Sequence, residues 1–169
     1  MNRRKFITAA GALAAWGSVR FVYSAAESMD GKEREDALEL IFSVQRHLFP
    51  KGLSMPDADS FGAAQYTKEA VLHSSFDPDI RDILFDGAKR VQRLAGGTFS
   101  SLSSDKKERL LRKFEEEPFG SFWLSHVMNI TLEALLSDPI YGGNREECGW
   151  RSFSLTPGRP RPEKRYCGV

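Results

Sequence analysis

Cysteine occurs only twice in these 169 residues, at Cys148 and Cys167, and histidine three times, at His47, His73 and His126. Two cysteines are too few for a four-thiolate iron–sulfur centre, and neither opens a Cys-x-x-Cys-His run, so covalent c-type haem is excluded as well. The histidines fall on three separate predicted helices, without a carboxylate or cysteine at metal-ligand spacing, which argues against a metal site. No Gly-x-Gly-x-x-Gly is present to open a dinucleotide-binding unit, and no Gly-x-Ser-x-Gly elbow to carry a serine nucleophile. An excess of charge is missing too. Lys and Arg number 24 against 23 Asp and Glu, a net +1, with no clustered basic face of the kind nucleic acid requires. The expectation is a chain with no catalytic constellation, no cofactor and no metal of its own.

Alternating apolar and polar stretches of useful length are also lacking, so the fold class expected is all-α, an irregular bundle of about five helices with an irregular C-terminal arm. With 41% hydrophobic residues, a chain of this length supports one ordinary core. Apolar periodicity predicts helices over Glu35 to Phe49, Ser60 to Ser74, a stretch opened by Asp77-Pro78 and closed by Gly96-Gly97, a fourth capped by Ser103-Ser104-Asp105, and Ser121 to Leu136. Pro118-Phe119-Gly120 reads as a break before the last of these. In that last helix Phe122, Trp123, Leu124, Val127, Met128, Ile130, Leu132, Ala134, Leu135 and Leu136 cover most of the circumference, which predicts burial on more than one side. The lysines, arginines and glutamates between Lys106 and Glu117 read as a solvated face.

The N-terminus carries Arg3-Arg4-Lys5-Phe6-Ile7 and then an alanine-rich, moderately apolar stretch to Val19. A twin-arginine pair ahead of a weakly apolar segment is the signal for Tat export, a route taken by folded proteins, and Ser24 and Ala26 are small enough for cleavage after Ala26. The expected division is a signal peptide over 1–26 and a helical domain over 27–169. Its removal takes Arg3, Arg4, Lys5 and Arg20 and no acidic residue, leaving 20 basic against 23 acidic side chains. Arg159, Arg161, Lys164 and Arg165 form a short basic tail broken by prolines, with Phe153, Leu155 and Tyr166 as expected anchors of the arm.

The most unusual run is Asp138-Pro139-Ile140-Tyr141-Gly142-Gly143-Asn144, followed by Gly149-Trp150. Pro139 disfavours helix at Asp138, and Gly-Gly-Asn tolerates positive φ, so the chain turns sharply where the most apolar helix ends. Ile140, Tyr141 and Trp150 in such a loop either fold back on the domain or meet another protein. That run, with Pro157-Gly158 and Pro160-Arg161-Pro162 after it, resembles the C-terminal pattern of the gluconate 2-dehydrogenase subunit 3 family. The resemblance implies a small, non-catalytic helical subunit that supports a large FAD-bearing flavoprotein of the glucose-methanol-choline type, commonly with a multihaem cytochrome c as a third subunit. A periplasmic location, or the periplasmic face of the cytoplasmic membrane, accords with the Tat signal.

On this reading the turn from Asp138 to Asn144, with Trp150, anchors the chain against the flavoprotein or shapes the surface that does so. Asp138 and Pro139 set the helix exit, and Gly142 and Gly143 allow the backbone geometry. The alternative from another class is a free-standing periplasmic binding or scaffold domain with the same fold. Cys148 and Cys167 lie in one short C-terminal stretch and are candidates for a disulfide in an oxidising compartment.

Overall fold

The computed structural model describes residues 29–165, and among these it is built of helices and turns without a strand. The twin-arginine residues Arg3 and Arg4 and the expected signal peptide lie outside the described residues, as do Tyr166 and Cys167. Six α-helices follow in order: α1 Gly31–Leu48, α2 Ala63–Leu72, α3 Pro78–Ala95, α4 Ser104–Glu115, α5 Pro118–Leu136 and α6 Cys148–Ser152.

Capping chemistry decides where these helices begin. Asp30 accepts the Glu33 N–H at 2.8 Å, so α1 opens at Gly31, four residues before the predicted start at Glu35. Asp77 accepts the N–H groups of Asp79 and Ile80 at 2.9 and 3.3 Å, Pro78 needs no partner in the first turn, and Gly96 closes α3 at φ 62°. α2 begins later than the sequence predicts. Asp57 draws in the N–H groups of Asp59 and Ser60, and Gly62 stands at φ 79°, so Ser60 to Gly62 form a turn instead of helix.

Pro118-Phe119-Gly120 corrects the reading of a break, because these residues are the first turn of α5. Proline is at home there, lacking only an N–H that has no helical partner. The interruption is confined to Glu116 and Glu117. Gly120 makes so short a connection feasible: a Cβ there would stand 1.7 Å from the Phe114 carbonyl oxygen.

The core lies where α1, α3 and α5 meet. Trp123 of α5 is fully buried, donates from Nε1 to the Leu84 carbonyl at 2.9 Å, and packs edge-on to Phe114 with ring centres 5.8 Å apart. Gly87 of α3 gives its ring room, since a Cβ at that position would meet Trp123 at 1.9 Å. A polar tie crosses the same core. Gln45 of α1 donates to the hydroxyls of Thr67 on α2 and Thr131 on α5 at 2.8 and 3.0 Å, and all three side chains are buried. A second cluster, with Phe49, Phe61, Ala134 and Leu135, sits beneath the end of α5.

α5 is buried along Trp123, Val127, Ile130, Thr131, Ala134 and Leu135. The prediction of burial on more than one side holds for that arc and fails on the remainder. Phe122, Leu132 and Leu136 face solvent at 50, 38 and 40% of their accessible surface.

Candidate functional site

An α-helix leaves its last four carbonyl groups without helical partners, and a helix end packed against the domain must find others. At the end of α5 the Ser137 N–H reaches the Glu133 carbonyl at 2.8 Å. The remaining partners come from the loop beyond. The Asn144 backbone N–H donates to Ala134 O at 2.6 Å, its Nδ2 donates to Ser137 O at 2.9 Å, and the Trp150 indole Nε1 donates to Leu136 O at 2.7 Å. Asn144 Oδ1 in turn accepts the Gly149 N–H at 2.8 Å, which closes a ring of bonds from α5 through the turn to α6.

Each residue type in the run follows from this clamp. Asp138 accepts the Ile140 N–H at 3.1 Å, and Pro139 starts the 3₁₀ turn Pro139–Tyr141. Gly142 reverses the chain at φ 93°. Gly143 passes so close to α5 that a Cβ would stand 2.3 Å from Ala134 O, and Gly149 would meet Leu135 O at 2.0 Å. Asn144 is fully buried at φ 43°, a conformation asparagine tolerates better than other non-glycine residues. Trp150 is left only 8% exposed. Ile140 and Tyr141 remain half-buried at the rim.

Two arginines of the C-terminal arm bind the clamp from outside. Arg161 pairs with Asp138 at 2.8 Å and with Glu147 at 2.6 Å, and Arg165 pairs with Glu69 of α2 at 2.6 Å while donating to the Ile140 carbonyl. The Arg161 hydrogen bond, with the Ile140 N–H beside it, holds the Asp138 carboxyl below the ordinary aspartate value. Phe153 and Leu155, expected as anchors, are 47 and 50% exposed. Among the described residues the arm is thus held by charge, and neither Phe153 nor Leu155 anchors it by burial. Its paired arginines are visible in sequence only as a broken basic tail; their carboxylate partners, drawn from three separate segments, carry no sequence signal.

Among the described residues Cys148 has no disulfide partner, and its partial burial raises its pKa; its expected partner Cys167 lies outside the described residues. The histidines stay in separate settings: His47 contacts Glu108 at 2.9 Å, His73 contacts the Ser75 hydroxyl at 2.7 Å, and His126 stacks edge-on to Phe122 with ring centres 4.5 Å apart. Among the described residues no group of three His, Cys, Asp or Glu is placed to hold a metal ion. No helix among them is long and apolar enough to cross a membrane. A hollow of about 990 Å³ between α1 and α3 is rimmed by charges of both signs, with Lys89 and Glu33 3.7 Å apart across it.

The most distinctive residues of this all-α bundle thus close the end of α5 and fix the corner that follows it. The chain belongs to the gluconate 2-dehydrogenase subunit 3 family, whose model matches residues 35–158. No curated protein and no solved structure matches it.

Proposed function

We propose that this chain is the non-catalytic small subunit of an envelope dehydrogenase that oxidises a sugar or sugar acid. In this reading a large flavoprotein of the glucose-methanol-choline type carries the FAD and the chemistry, and a multihaem cytochrome c serves as a third subunit passing electrons to the membrane. The small subunit folds in the cytoplasm, holds the flavoprotein, and takes it through the Tat exporter by means of Arg3 and Arg4. Both then reside in the periplasm or on the periplasmic face of the cytoplasmic membrane.

The observation that carries the reading is the extent of the family match, which runs from within α1 to beyond α6 and includes the whole clamp. The use of the clamp supports it. Asp138, Asn144, Gly149 and Trp150 spend their polar groups on the chain itself, as a rigid accessory module would.

Co-expression with a flavoprotein of the glucose-methanol-choline type from the same genome, followed by purification through a tag on the small subunit, tests the proposal. A stoichiometric complex with a flavin spectrum is expected, and Lys in place of both Arg3 and Arg4 keeps both proteins in the cytoplasm. Recovery of the small subunit alone, with the flavoprotein exported and active without it, contradicts the reading.

A further inference from the structure

α5 is 19 residues long and contains one charged side chain, Glu133, in a protein where 28% of residues are charged. Helices of soluble domains place charge on the side turned to water, so a solvent side without it marks a covered surface. Phe122, Ser125, Asn129, Leu132 and Leu136 recur at helical spacing along that side, and three of these five are large and apolar. Shallow hollows flank the stripe and share Asn129. One of about 390 Å³ lies toward α4 beside Leu124 and Met128, and one of about 510 Å³ lies toward α2 between Tyr66 and Leu136.

The stripe ends in the clamp. Leu136, its last apolar residue, offers its carbonyl to the Trp150 indole, and Leu132 and Glu133 stand one turn before. Asn144 and Trp150 therefore fix the last turn of α5 in place. Glu133, the one charge on α5, stands beside the stripe and makes no ion pair among the described residues; its carboxylate reaches the Tyr66 hydroxyl at 3.4 Å. The other carboxylates around the clamp, Asp138, Glu147 and Glu69, are already neutralised by Arg161 and Arg165.

We propose that this stripe is the docking surface for the catalytic flavoprotein, and that the flavoprotein presents an apolar ridge with one lysine or arginine set opposite Glu133. The assignment rests on the subunit reading above and deepens it. The flavoprotein touches α5, and the clamp acts by holding α5 rigid beneath it. An apolar centre with a single complementary charge is the composition that gives affinity together with register.

The test uses the full chain co-expressed with the flavoprotein. Leu132→Glu, Leu136→Glu and Glu133→Lys are made along the stripe, and Leu94→Glu on an exposed leucine of α3. Thermal unfolding of each free subunit is measured beside its affinity for the flavoprotein. Each stripe variant should unfold near the wild-type temperature and bind at least 100-fold more weakly, while Leu94→Glu binds as wild type. Should a glutamate variant fail to fold, Leu132→Gln and Leu136→Gln at the same exposed positions carry the test, with at least a tenfold loss expected. Normal binding by folded stripe variants overturns the assignment, and so does an equal loss in Leu94→Glu. A wild-type subunit that self-associates through the stripe, shown by light scattering and abolished by Leu136→Glu, assigns the face to a second copy and overturns it also. Failure of the wild-type pair to associate at all refutes the subunit reading itself, and this assignment with it.

Discussion

Arg161 lies with its guanidinium carbon 5.0 Å from the centre of the Trp150 ring, while its N–H groups reach Asp138 and Glu147. One side chain thereby ties the C-terminal arm to the turn, to the short segment before α6 and to the aromatic that caps α5. Exposed ion pairs and cation–π contacts of this kind contribute about 1 kcal/mol each at most, and salt screens the ionic part. Arg161→Ala should therefore lower the melting temperature only slightly. It should also make residues 156 to 165 more sensitive to protease while the helical content stays unchanged. Raising salt should loosen the wild-type arm in the same direction, which limited proteolysis at two ionic strengths will check.

Asn144 separates two causes in a single position. Asn144→Gly keeps the backbone freedom but strands the Ser137 carbonyl and the Gly149 N–H, and a loss of about 2 to 4 kcal/mol is expected. Asn144→Ala loses the same bonds and adds the cost of a Cβ at φ 43°, about 1 kcal/mol more. Denaturant unfolding of both variants should place alanine below glycine. Equal stability would show that the side-chain bonds alone matter.

The glycines divide by what surrounds them. Gly149→Ala and Gly143→Ala press a methyl group into backbone carbonyl oxygens of α5 and should unfold the corner, with losses above about 3 kcal/mol. Gly97→Ala meets nothing within 4 Å and should be neutral or slightly stabilising. Thermal melts of the three variants suffice.

Acid should weaken the molecule through three carboxylates held below their ordinary values, Asp57 by the Ser60 hydroxyl, Asp138 by Arg161, and Glu108 by His47 and then Arg112. A lowered folded-state value means that the stabilisation is complete above the unfolded value of about 4 and disappears as pH falls through the lower folded value. Stability measured from pH 6 downward should stay level to about pH 5 and decline below about pH 4. The decline should be shallower in Asp138→Asn.

Much of this architecture is legible in sequence. Asp77-Pro78 and Gly96 mark α3 because capping is local chemistry, and the Asp138–Asn144 run announces a turn because Pro139 disfavours helix at Asp138 while Gly142 and Asn144 tolerate the positive φ they adopt. What escapes is whatever depends on distant partners. Pro118 reads equally as a break or as a first helical residue, and only the packing of Gly120 on Phe114 decides between them. Trp150 in a glycine-rich loop suits a partner surface as well as a core, and the Leu136 carbonyl that takes its indole N–H lies fourteen residues earlier. Phe122 and Leu132 look buried because apolar residues surround α5 on paper, whereas α1, α2, α3 and α4 cover only part of its circumference.

The central claim is that Asn144, Trp150 and the glycines build a clamp on α5 and that partner contact falls on the helix they hold. Trp150→Ala tests it most directly, with unfolding free energy measured on the free subunit and affinity for the flavoprotein measured at a temperature where the variant is folded. The account predicts a stability loss of about 3 to 5 kcal/mol, as for other buried aromatics, and binding by the folded protein within about threefold of wild type. A variant as stable as wild type that binds about 30-fold more weakly or worse would place Trp150 in the interface and contradict it.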